Sequence, residues 1–154
     1  MNPLEIFIFT KVASTETLIL ILMMIVFVLF MRGSKRKSLT LLISTIGMMS
    51  SVVIAKNYFQ IERPAEALVQ LTSYALPSGH AAGAFFLAVV VMDLIWNLNY
   101  RYRQAIILLP VFLAVIIGYS RIMLQVHTWF QVFAGACLGL FFGFLYIYFS
   151  NKRK

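Results

Sequence analysis

Long apolar runs alternate with short polar breaks along the whole chain. Five runs, over roughly residues 12–31, 39–55, 80–98, 104–120 and 128–149, approach the ~17–25 residues that a helix needs to cross the hydrocarbon of a bilayer. Backbone in lipid has no water to satisfy its N–H and C=O groups, so runs of this length predict helices. The pattern predicts an all-α, polytopic transmembrane bundle of about five spanning helices. No stretch is left over for a separate soluble unit, so residues 1–154 read as a single membrane-embedded domain. Pro110 lies inside the fourth run and predicts a kink there. Gly135, Gly139 and Gly143 recur at every fourth position of the fifth run, on one helix face, and predict close approach of a neighbouring helix.

Composition strengthens this picture. Hydrophobic residues make up 62% of the chain and charged residues 12%, too little polar surface to cover a soluble globule. The net charge of +8 has no basic helix or aromatic-interleaved soluble face to carry nucleic acid, so anionic lipid is the expected partner. Cys137, the single cysteine, sits in an apolar run and reads as a small buried hydrophobe. Glu5, Lys11 and Glu16 precede or open the first run without the basic segment and cleavage site of a secretory signal, so that run is expected to be retained. Asp93 falls late in the third run, where its helix nears the headgroups. No ionisable residue occupies the middle of a run, which disfavours a transporter.

Basic residues predict the orientation. Arg32, Lys35, Arg36, Lys37, Arg101, Arg103, Lys152, Arg153 and Lys154 share one side by parity, while Lys11, Lys56, Arg63 and Arg121 fall on the other with Glu5, Glu16, Glu62 and Glu66. The nine-to-four split places the C-terminus in the cytoplasm and the second group outside. The chain's two histidines, His80 and His127, fall on that outer side as well.

Three blocks stand there in order. Lys56 is followed after six residues by Arg63-Pro64; Pro77-Ser78-Gly79-His80 opens the third run; Ser120-Arg121 is followed after five residues by His127. Each block alone is a weak signal, but three in order at matching helix ends form a specific one. Their chemistry is coherent. A phosphoryl group in transfer carries charge on its equatorial oxygens and needs fixed cations and donors around it. Lys56, Arg63 and Arg121 supply charge, and an arginine fork can also orient a phosphate through paired hydrogen bonds. Ser78 and the Gly79 amide lie where a helix N-terminus would offer unpaired N–H groups. Two imidazoles can serve as nucleophile and as proton donor.

Together the blocks resemble the signature of the type 2 phosphatidic acid phosphatase family, from Lys56 to Gln131, about half of the chain. The resemblance implies a lipid phosphatase that needs neither metal nor other cofactor. His127 would attack phosphorus and form a phosphohistidine, while His80 would protonate the leaving oxygen and then activate water. It further implies a lipid phosphate substrate, with undecaprenyl diphosphate the leading candidate, and a bacterial inner membrane with the site on the outer face. The family pattern has an aspartate four residues after the nucleophilic histidine, and Gln131 stands at that position here. At that spacing the Gln131 carbonyl can still accept the Nδ1 proton of His127, without the charge of a carboxylate. Glu62 and Glu66 share that side, and no spacing places either beside His127. Two other readings use the same residues: a lipid phosphotransferase, and a lipid-phosphate-binding protein with little turnover because of Gln131.

Overall fold

The computed structural model describes residues 14–69, 71–98 and 101–151. Glu5, Lys11, Lys152, Arg153 and Lys154 lie outside the described residues. The described residues are helical, without strands: α1 Thr15–Met31, α2 Lys35–Phe59, α3 Gly79–Trp96, α4 Arg103–Ile106, α5 Leu108–Met123 and α6 Trp129–Asn151. The helices α2, α3, α4 with α5, and α6 are long and apolar enough to cross a membrane, while α1 is apolar but 17 residues long.

The predicted spans recur with two shifts. Helix α2 runs Lys35–Phe59 instead of 39–55, so Lys35, Arg36 and Lys37 lie in its first turn and Lys56 in its last. Basic side chains tolerate such places because their charged ends can reach out to headgroups from an apolar stem. The fourth span is interrupted at Ile107, between α4 and α5, not at Pro110 itself. The cause is still Pro110, because a proline ring disturbs the carbonyl four residues before it, which here belongs to Ile106.

Helix α3 occupies the centre and packs most extensively on α6, then on α5, with α1 and α2 closing the remaining side. Leu22, Leu41, Met48, Phe86, Val90 and Tyr146 fill the interior between α1, α2, α3 and α6. Outward-facing residues such as Leu20, Phe27, Leu39, Phe112, Phe133 and Phe144 are large and apolar, as a lipid-facing surface requires. Cys137 belongs to that surface, and the expectation of a buried cysteine is thereby corrected. In lipid an outward face is as apolar as the core, so hydropathy does not separate the two.

The glycine ladder is the seam between α3 and α6. A Cβ on Gly135 would collide with the backbone carbonyl of Ser78, one on Gly139 with that of Ala82, and one on Gly143 would meet Val89 Cβ at 2.7 Å. The absence of side chains lets the two backbones touch, which fixes the start of α3 against the start of α6. Gly139→Ala is expected to destabilise the fold by about 1–3 kcal/mol, because backbone cannot rotate away. Gly47→Ala should cost less, since its Cβ meets the ring edge of Phe142. Thermal unfolding in detergent compares the two.

The far end of the bundle is tied by polar contacts. The buried Asp93 carboxylate pairs with Lys37 Nζ at 2.9 Å. It also accepts from Tyr146 Oη at 3.2 Å and from the side-chain amides of Asn97 and Asn151 at 3.2 and 3.1 Å. Arg36 Nε donates to the Phe149 carbonyl at 3.0 Å. These bonds gather the α1–α2 turn, the end of α3 and the end of α6 at one end of the bundle, opposite Lys56, Arg63 and Arg121. Asp93, expected near the headgroups, is instead a buried anchor for three helices.

Candidate active site

Four helix ends and two loops converge opposite the Asp93 network. Lys56 comes from the last turn of α2, which Gln60 closes in a left-handed conformation with φ 49°. Arg63 comes from the loop that follows, and Ser78, Gly79 and His80 open α3. Arg121 comes from the last turn of α5, and His127 precedes α6. Lys56 and Arg121 therefore project from helices, where the sequence had suggested loops.

Loop-to-loop hydrogen bonds set the register of these parts. Leu68 N–H donates to the Leu124 carbonyl at 3.1 Å, and Ser78 N–H donates to the Gln131 carbonyl at 3.0 Å. Ser78 is fully buried and caps α3, its Oγ accepting from Ala81 N–H at 3.4 Å. With Gly135 seated on the Ser78 carbonyl, the chain around His80 is held against the first turn of α6.

His127 is 3% exposed and bonded on both sides of its ring. Nδ1 lies 3.1 Å from Gln131 Oε1, and Nε2 lies 3.2 Å from Arg63 Nη1. Both contacts demand one tautomer. Gln131 Oε1 also accepts from Thr128 N–H at 3.1 Å, and a backbone N–H can only donate, so the oxygen of this amide faces His127. Nδ1 must then carry the proton. At the other side a guanidinium can only donate, so Nε2 offers its lone pair. The nitrogen that keeps its lone pair thus points into the cluster of cations.

Gln131 has a second task that the sequence reading missed. Its backbone N–H lies 3.4 Å from Thr128 Oγ1 while its side chain accepts from Thr128 N–H, a reciprocal capping box at the start of α6. The signal was present in Thr128-Trp129-Phe130-Gln131, a threonine three residues before a glutamine at the head of an apolar run. One amide oxygen thereby caps a helix and orients an imidazole.

The cations are held by carbonyls. Arg63 donates to Ser73 O at 2.9 Å, to Ser73 Oγ at 3.1 Å and to the Val126 carbonyl at 2.9 Å. Lys56 Nζ donates to the Tyr74 carbonyl. Arg121 is 1% exposed, and its Nε contacts Ser120 Oγ at 3.1 Å. Nothing in the sequence marks Ser73 or Tyr74, because their carbonyls do the holding and every residue has one. His80 forms no hydrogen bond among the described residues, and it lies within electrostatic reach of Arg121, His127, Arg63 and Lys56. All eight residues singled out in the sequence therefore belong to this one end, whereas Glu62 and Glu66 are exposed and form no ion pair among the described residues. No three His, Cys, Asp or Glu side chains among the described residues converge to hold a metal.

Electrostatics follow from this enclosure. Burial, and then the Arg63 guanidinium, lower the His127 pKa to about 3, with the Gln131 hydrogen bond opposing them. Burial also lowers that of Arg63. Without substrate, His127 should therefore take a proton only as pH falls far below 6.5, and should remain neutral at pH 5. Nitrogen-15 histidine spectra in detergent test this, and an imidazolium pattern for His127 at pH 5 would contradict it. A dianionic phosphate would bring in the negative charge that this cluster lacks.

Residues 38–154 match the model of the PAP2 superfamily. The chain belongs to the PAP2 superfamily. Among PAP2 relatives, dolichyldiphosphatase 1 of Dictyostelium discoideum is 37% identical over 81 residues, covering 48% of this chain and 34% of that protein. Phosphatidylglycerophosphatase B of Bacillus subtilis is 31% identical over 105 residues, covering 66% of this chain and 52% of that protein. The chain thus spans between about a third and about half of these curated relatives. A solved PAP2 structure, a transmembrane phosphatidylglycerolphosphate phosphatase from Bacillus subtilis, superposes with a TM-score of 0.86 at 25% identity, covering all of this chain and 80% of that one. The transmembrane PAP2 fold expected from the three blocks is the fold observed.

Proposed function

We propose that this chain is a lipid phosphate phosphatase working through a phosphohistidine on His127. The observation that carries the reading is the tautomer, with Gln131 and Thr128 fixing the proton on Nδ1 and Nε2 aimed at Arg63. In the reaction, Arg63 would turn from Nε2 to the phosphate oxygens, sharing them with Lys56, Arg121, the Ser78 hydroxyl and the Gly79 N–H, since the Ser78 N–H is held by the Gln131 carbonyl. Nε2 attacks phosphorus, the bond from phosphorus to the leaving oxygen breaks, and protonated His80 gives its proton to that oxygen. Neutral His80 then takes a proton from water, whose oxygen displaces His127 and releases inorganic phosphate.

The substrate we favour is a polyisoprenyl diphosphate, undecaprenyl diphosphate in a bacterial inner membrane, with the site on the outer face. The similarity to a dolichyldiphosphatase supports the isoprenyl diphosphate class, and the gathering of Arg32, Lys35, Arg36, Lys37, Arg101 and Arg103 away from the site supports the orientation. The similarity to phosphatidylglycerophosphatase B makes phosphatidylglycerol phosphate the first competitor.

Release of phosphate from a panel of lipid phosphates tests this reading, and no release from any of them would refute it. Gln131→Glu belongs in the same assay. It keeps the length that reaches both Thr128 N–H and His127 Nδ1, and it adds the charge that stabilises a phosphorylated imidazolium. We expect at least about a tenfold rise in turnover, given how strongly a carboxylate behind histidine acts elsewhere. An unchanged or lower rate would show that the charge is not limiting.

A further inference from the structure

A large cavity lies far from the histidines. It has a volume of about 650 Å³ and lies between α1 and α3 at the end that carries the Asp93 network. Its walls are apolar, including Ile25, Val28 and Leu94, and its mouth is polar, with Arg32, Lys37 and Asn97. Lys37 is committed to Asp93. The Arg32 side chain makes no hydrogen bond or ion pair among the described residues, and it is exposed at the C-cap of α1. The turn that carries it contributes Lys35, Arg36 and Lys37 without an acidic residue.

We propose that this cavity binds an anionic glycerophospholipid from the leaflet opposite the catalytic histidines. The phosphate would sit at Arg32, because the Asn97 amide already donates to Asp93, and the first part of one acyl chain would lie along Ile25, Val28 and Leu94. Charge complementarity selects an anionic headgroup, because among the described residues the one acidic group beside the cavity, Asp93, is already neutralised by Lys37. The apolar wall selects a lipid over a free anion, which would leave most of the cavity empty. The volume is in the range of ligand clefts, and basic pockets between helices are a recognised mode of holding acidic headgroups. Such a lipid would wedge α1 against α3 next to the Asp93 anchor and brace α1 in the bundle.

Trp96 reports on the site, since it lies between the lining residues Ile95 and Asn97. The chain has two tryptophans, so Trp129→Phe leaves Trp96 as the sole indole. In mixed phosphatidylcholine vesicles, brominated phosphatidylglycerol should quench Trp96 with about fivefold higher relative affinity than brominated phosphatidylcholine. Arg32→Gln should bring that ratio close to one. Lys35→Gln, which faces the groove on the other side of α1, should leave it unchanged. Equal quenching by the two lipids, or a preference that survives Arg32→Gln, would overturn the proposal. Unchanged quenching by phosphatidylcholine in the Arg32 variant shows that it is folded and inserted. The result is independent of catalysis, because no readout involves phosphate release.

Discussion

His127→Ala is expected to lower phosphate release by at least about 10⁴-fold, the scale on which removal of a nucleophile acts. The loss should be catalytic and not structural. Removing the imidazole leaves Gln131 Oε1 with the Thr128 N–H, and leaves Arg63 with Ser73 and the Val126 carbonyl. No buried polar group is orphaned, and the capping box of α6 persists. The variant should therefore insert, superpose and melt within a few degrees of the parent. Retention of more than about a hundredth of the activity would exclude His127 as the attacking group.

His80→Ala should cost less, about 10²–10⁴-fold, the range of general acid–base catalysis. Its effect should depend on the leaving group, which separates it from a structural defect. An alkoxide or a lipid phosphate needs a proton as it departs, whereas p-nitrophenolate departs without one. With p-nitrophenyl phosphate the variant should release up to one equivalent of nitrophenol per enzyme in a fast phase. It should then slow, because His80 is also needed to activate water. A uniform loss for all leaving groups, with no fast phase, would argue that His80 only positions the phosphate.

Much of the architecture was legible in the chain. Lipid forces every long apolar run to satisfy its own backbone, so runs of length 17–22 could hardly be anything but helices. The glycines at 135, 139 and 143 reported a seam because close approach has few other solutions. The three blocks were legible for a different reason, since several cations and two imidazoles stand at fixed places at matching helix ends along the chain. Contacts that depend on the third dimension were hidden. Arg63 reaches His127 across 64 positions, and its supports at Ser73 and Val126 are backbone groups. The burial of Asp93 was hidden as well, because a carboxylate late in a run looks the same whether it faces headgroups or pairs with Lys37. The Thr128–Gln131 box is readable in the chain, as a threonine three residues before a glutamine at the head of an apolar run.

The glutamine sharpens the chemistry. An amide oxygen fixes the tautomer of His127 as well as a carboxylate can, and leaves the Nε2 lone pair facing Arg63. It offers no negative charge to the phosphohistidine, so the intermediate should be formed and then be reactive, with Gln131→Glu testing that difference.

The central claim is a covalent bond between phosphorus and His127, and trapping it is the most direct test. The full chain in detergent is mixed for milliseconds with phosphorus-32-labelled lipid diphosphate, quenched in alkali and digested. Label is expected on the peptide carrying His127, stable in alkali, lost in acid and absent from His127→Ala. Turnover without any label in both the parent and Gln131→Glu, or label that persists in the His127 variant, would contradict it.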